Sequence, residues 1–153
     1  MKKRLLDEYS RSYTDMGGGG DCAFKVIAHK VFGDVNKHKA VREIAAKTMR
    51  ARRNEYAKWG FTSEEEMSAH ADNLLNCGTW TNWENDLWFT AIGLCICLVV
   101  IGPTYTNVIG DEASAKQVVH MAHIPDVHFA AACEVEPARV PQLLSALDKE
   151  VCD

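Results

Sequence analysis

The residue types that could carry covalent chemistry gather in one short stretch, Gly17-Gly18-Gly19-Gly20-Asp21-Cys22-Ala23-Phe24. Four glycines keep peptide N–H groups bare and let the backbone bend where side chains would clash. Directly after them the apolar spacing turns helical, and a helix starting at such a loop aims its positive end at whatever sits there. Cys22, in that first turn, is therefore expected to have a lowered pKa and a larger thiolate fraction, as a nucleophile requires. No Gly-Lys-Ser/Thr follows the glycines, which excludes a phosphate loop.

A thiol nucleophile needs a base, and a histidine remote in sequence can supply it. There are six: His29, His38, His70, His120, His123 and His128. His29 lies on the same helix as Cys22 but about two turns away, out of reach. His38 and His70 read as helix-flank and helix-face residues. His128 is the most suggestive of the late three, because it opens a strand after a Pro125-Asp126 turn and precedes the small run Ala130-Ala131-Ala132. A strand start beside a loop presents an imidazole at a fixed angle; His120 and His123 are the alternatives. Cys95-x-Cys97 and His120-x-x-His123 have the residue types of a zinc site. Their surroundings are apolar, so Cys95 and Cys97 read instead as small core residues on one strand. Cys77, Cys133 and Cys152 read as structural or incidental.

These residues need elements to hold them. Residues 1–16 read as an amphipathic lead-in, with Leu5, Leu6, Tyr9 and Tyr13 at helical spacing. One helix is expected from Cys22 to near Gly33. A second fits Lys39 to Glu55, with Val41, Ile44, Ala45, Thr48 and Met49 inward and Arg50, Arg52 and Arg53 at its end. Ser63-Glu64-Glu65-Glu66 is a capping box for a third helix reaching about Asn76, whose inner stripe is Met67, His70, Ala71, Leu74 and Leu75. After the tryptophan-rich turn Gly78-Thr79-Trp80-Thr81-Asn82-Trp83 comes a helix from about Glu84 to Leu94, with Trp88 in the core. Cys95 to Ile101 is an apolar β-branched run, hence a central strand, stopped by Gly102-Pro103. A weak strand or turn at residues 107–111, strands at Gln117 to Ala122 and Val127 to Glu134, and a last helix at Val140 to Val151 complete the chain. Helices followed by a small sheet make an α+β domain.

The totals agree with that reading. The chain has 153 residues, which suits one domain spanning 1–153. A net charge of −4 argues against nucleic acid as the partner. The apolar stretch Leu87 to Gly102 is expected to be a buried helix end and strand, not a membrane span. The charged N-terminus lacks the apolar run of a signal peptide, so the six cysteines are expected to be reduced and the location cytosolic.

Three segments in order resemble the ovarian tumour (OTU) cysteine proteases. Gly18-Gly19-Gly20-Asp21-Cys22-Ala23-Phe24 is similar to that family's nucleophile motif. Gly78-Thr79-Trp80, leading into the Trp88 helix and the 95–101 strand, resembles its central tryptophan turn, and Val127-His128-Phe129 its closing His-Tyr/Phe. The resemblance implies a papain-like OTU fold, a small central sheet sandwiched between helices. It implies Cys22 as nucleophile, His128 as general base, and an oxyanion loop of Gly19, Gly20 and Asp21 with the Cys22 N–H. It further implies Trp80, Trp83, Asp126 and Phe129 as residues along the substrate channel. The expected activity is thiol isopeptidase cleavage after the Gly-Gly terminus of ubiquitin or a ubiquitin-like modifier, an interferon-induced one included, with no cofactor or metal. The short length resembles viral or pathogen OTU domains, which implies a monomer at work in host cytoplasm. Two positions depart from the pattern: Gly19 stands where the family has an aspartate, and Ala130 where it has Asp/Asn. The imidazole's orienter is then Asp15, Asp21, Asp126 or none. A ubiquitin-binding module that does not cleave is the alternative.

Overall fold

The computed structural model describes residues 1–17, 19–79, 83–124 and 128–150. Its elements are α1 (Lys2–Tyr9), β1 (Arg11–Thr14), α2 (Cys22–Phe32), α3 (His38–Ala51), α4 (Glu64–Leu74), α5 (Trp83–Leu94), β2 (Ile96–Ile101), β3 (Thr106–Ile109), β4 (Gln117–Ile124), β5 (His128–Glu134) and α6 (Val140–Glu150). The strands form one sheet in the order β1-β5-β4-β2-β3, with β2 parallel to β4 and the other pairs antiparallel.

Strand alternation divides the sheet into two apolar faces. Leu98, Val100, Val119, Met121, Phe129 and Ala131 join the larger core, which packs against the helices α2 to α5. Ile101, Ala122, Ala130 and Ala132 face the other way, where Leu5 of α1 closes a smaller core. Helices therefore cover both faces, as the α+β reading expects. The apolar stretch Leu87 to Gly102 is the end of α5 and the central strand β2. Among the described residues, no helix is long and apolar enough to cross a membrane.

The lead-in differs from its expectation, and the difference positions the site. Helical spacing breaks at Ser10, which adopts the left-handed conformation (φ 51°) and returns its N–H to the end of α1. Tyr13 then lies on a strand, not a helix. β1 pairs with β5 through Tyr13↔Ala132 and Thr14↔Ala131, so the residue after β1, Asp15, is delivered beside the start of β5.

Other helix limits follow local chemistry. α2 stops at Gly33, whose φ of 69° suits glycine. α3 ends at Ala51, short of the expected Glu55, and a 3₁₀ segment Arg53–Trp59 follows. Trp59 packs against Phe89, their ring centroids 4.5 Å apart. At α4, Ser63 Oγ accepts the Glu66 N–H at 3.0 Å, while Glu66 reaches back to the Thr62 N–H. Leu75 is exposed rather than inward. His70 of the inner stripe instead holds the buried Asp86 of α5, Nε2 to Oδ1 at 2.8 Å. Cys95 also departs from expectation. It precedes β2 at the end of α5 with a φ of 55° and is exposed, while Cys97 on the strand is buried.

Candidate active site

Cys22 is the first residue of α2 and has no exposed surface. Its Sγ accepts a hydrogen bond from the Phe129 backbone N–H at 3.3 Å, which ties the start of α2 to the start of β5. The lowered pKa expected from the sequence is not found. Burial raises the thiol pKa and the charge on Asp15 adds to it, outweighing the Phe129 N–H and the N–H groups of the helix start. The thiol at rest holds its proton.

His128 begins β5 with its side chain 14% exposed, and its Nε2 lies 3.0 Å from Asp15 Oδ2. The approach is close without being aligned as a hydrogen bond. The other oxygen of Asp15 accepts the Gly17 N–H at 2.9 Å, so the glycine loop itself sets the carboxylate's angle. Among the described residues, Asp15 is the one of the candidate acids that lies beside the imidazole. Asp126 lies outside the described residues, and Asp21 is committed elsewhere.

Asp21 anchors the nucleophile loop through its carboxylate. Its Oδ1 accepts from Arg42 Nε (3.0 Å) and Nη2 (2.7 Å) and from the Gly78 N–H (2.9 Å). Burial pushes the carboxyl up, but these donors outweigh it and hold it below the ordinary aspartate value. Arg42 is fully buried. It also donates to the carbonyls of Gly20 (2.9 Å), Leu74 (2.9 Å) and Thr79 (3.3 Å), and stacks over Phe24 at 4.3 Å. A Cβ on Gly20 would stand 2.3 Å from the Gly78 carbonyl oxygen, so only glycine allows the loop to lie against that turn. Gly19, with a φ of 82°, makes the bend before it. The Cys22 N–H points back to the Gly19 carbonyl at 3.4 Å, the long end of a hydrogen bond.

Arg42 is the residue that reading the sequence missed. Its signal was present: it shares a helical face with Ala45, Ala46 and Met49, an arginine inside an apolar stripe.

Of the expected channel residues, Phe129 is the one whose side chain lies among the described residues. Phe129 is fully buried and stacks on His123 with ring centroids 4.5 Å apart. Its side chain is core, and what it offers the site is its backbone N–H. His123 is held by Tyr105, whose hydroxyl bonds its Nδ1. Trp80 lies outside the described residues, as does the side chain of Trp83. Trp88 is half-buried against the core.

A buried cysteine at a helix start, a histidine opening the neighbouring strand and a glycine loop between them can be set against known backbones. The chain is similar to the OTU domain of OTUD1, with a TM-score of 0.70 and 16% identity over 87% of this chain and 95% of that one. It is similar also to an OTU domain solved in complex with ubiquitin, at 0.65 and 14% over 92% and 88%. A viral OTU protease from Dera Ghazi Khan virus matches at 0.65 and 13% over 86% and 85%. The fold is that of an OTU domain. No family model matches the sequence, and no curated protein does. In this chain the glycine loop before Cys22 is pinned by Asp21 and Arg42, and Asp15, the acid beside His128, comes from the segment before the glycines.

Proposed function

We propose that this chain is a thiol isopeptidase that removes ubiquitin or a ubiquitin-like protein from lysine side chains. The observation that carries the reading is the approach of Asp15 to His128 at the strand whose Phe129 N–H holds Cys22. With the Asp15 carboxylate at Nε2, the imidazole keeps its proton there and leaves Nδ1 as the basic nitrogen for the thiol.

In the reaction, His128 takes the Cys22 proton and the thiolate attacks the carbonyl carbon after the second glycine of the modifier's tail. The C–N bond of the tetrahedral intermediate breaks as His128 gives its proton to the lysine amine. Water then attacks the thioester, His128 accepting its proton, and the thiol and a free carboxylate are released. The N–H groups of residues 20–22, fixed by the Arg42 anchor, would stabilise the oxyanion once the Cys22 N–H turns from Gly19 to the substrate. A reducing cytosol is the compartment such a thiol needs.

The second reading is a module that binds ubiquitin without cutting it. The buried, protonated Cys22 and its engaged N–H favour it. Ubiquitin carrying a C-terminal electrophile separates the two. We expect a covalent adduct that Cys22→Ala abolishes and that His128→Ala slows by at least about 10²-fold. Binding of ubiquitin with no adduct would select the module.

A further inference from the structure

Behind the nucleophile loop, three segments bring one potential metal ligand each to a common point. The carboxylate of Asp21, the imidazole of His38 at the start of α3 and the thiol of Cys77 have ligand atoms all within 4.8 Å of one another. We propose that this cluster is a binding site for a thiophilic divalent ion of the zinc type, which staples the nucleophile loop to α3 and to the turn at residues 75–79.

Several independent features support a ligand here. His38 Nδ1 is buried with no hydrogen-bond partner, and a buried polar atom left unpaired calls for an explanation. It points at Asp21 Oδ1 from 3.8 Å, too far for a hydrogen bond. Zinc bond lengths of about 2.0–2.3 Å to nitrogen, oxygen and sulfur in a tetrahedron set ligand atoms about 3.3–3.6 Å apart. The cluster is thus within about an ångström of that geometry. Among the described residues, the hydrogen bonds Asp21 accepts go to Oδ1 and hold the carboxylate in place. Arg42 and the Gly78 N–H then act as the outer partners that fix a ligating carboxylate.

The donor set selects the class of ion. One sulfur, one imidazole nitrogen and one carboxylate oxygen suit zinc and its neighbours, whereas magnesium and calcium require oxygen. Two anionic ligands, the thiolate and the carboxylate, neutralise the dication. Cys77 is exposed, so the fourth position is open to water. A second catalytic dyad is a poorer account of the same residues. In a dyad or triad the imidazole stands between thiol and acid, whereas here thiol, imidazole and carboxylate ligand atoms all lie within 4.8 Å of one another.

Cobalt(II) titration of the Cys22→Ala protein tests the site, because that variant lacks the catalytic thiol as a competing ligand. One equivalent should bind, with tetrahedral visible bands and a thiolate-to-cobalt charge-transfer band, and one equivalent of zinc should displace it. Cys77→Ser in that background should abolish the charge-transfer band, and His38→Gln should weaken binding by at least about tenfold. Zinc should raise the melting temperature only when Cys77 is present. Cys77 is exposed, so its serine variant should melt as the parent does without metal. No bound equivalent, or a thiolate band that survives Cys77→Ser, would overturn the proposal. Neither measurement involves turnover, so the result stands apart from the isopeptidase reading.

Discussion

At the scale of single residues, the site is a balance between burial and hydrogen bonding. Burial raises the pKa of Cys22, so in the proposed isopeptidase reaction its proton leaves toward His128 once substrate is bound. That places weight on Asp15, which is more than half exposed yet close to His128 Nε2. Asp15→Asn keeps the shape and removes the charge. We expect kcat for a ubiquitin–lysine isopeptide to fall by at least about tenfold with little change in KM, because a positioning residue acts on the transition state. A purely structural Asp15 would lower the folded fraction and leave kcat per folded molecule unchanged. Asp15 shows also where sequence reading stops: it could be named as one of three acids, but only the pairing of β1 with β5 brings it to the histidine.

At the scale of elements, the local signals that survived folding were those with a chemical cause inside the segment. Gly33 ends α2 and Ser63 caps α4; each is a backbone requirement met by a nearby residue. The signals that failed depended on tertiary partners. Tyr13 keeps helical spacing with Tyr9 yet lies on β1, because β5 offers a ladder there. Arg42 showed its burial by standing in an apolar stripe, but not its partners, because Asp21, Leu74 and Thr79 lie on other segments. That role makes a definite prediction. Arg42→Lys keeps the charge but loses the planar fork, stranding buried carbonyls that one ammonium cannot reach together. The variant should lose about 3 kcal/mol in urea denaturation, and its remaining folded fraction should react more slowly with the ubiquitin electrophile because the loop before Cys22 is no longer fixed. An unchanged urea midpoint would mean that water satisfies those carbonyls and that Arg42 does not hold the loop.

At the scale of the whole molecule, stability should depend on pH, and two of the shifted groups, His120 and Asp86, act in opposite directions. His120 on β4 has its pKa lowered, first by burial and then by Arg11 and Lys30, against Glu112 and Glu134. The unfolded chain therefore binds a proton near the ordinary value of 6.5 while the folded chain does not, and stability declines as pH falls below that value. Asp86 runs the other way. Burial raises its pKa above 3.8 in spite of the His70 hydrogen bond, so the folded state holds the extra proton and gains stability as pH falls through the raised value toward 3.8. The total curve mixes both contributions, but the difference between wild type and His120→Gln isolates one. Urea midpoints measured from about pH 8 to pH 5 should converge or cross as pH falls, because the variant lacks the group that resists protonation. A constant offset between the two proteins across that range would show that His120 titrates alike in both states. The sheet would then admit a charged imidazole between Arg11 and Lys30, and the burial on this face would have to be looser than the smaller core around Leu5 implies.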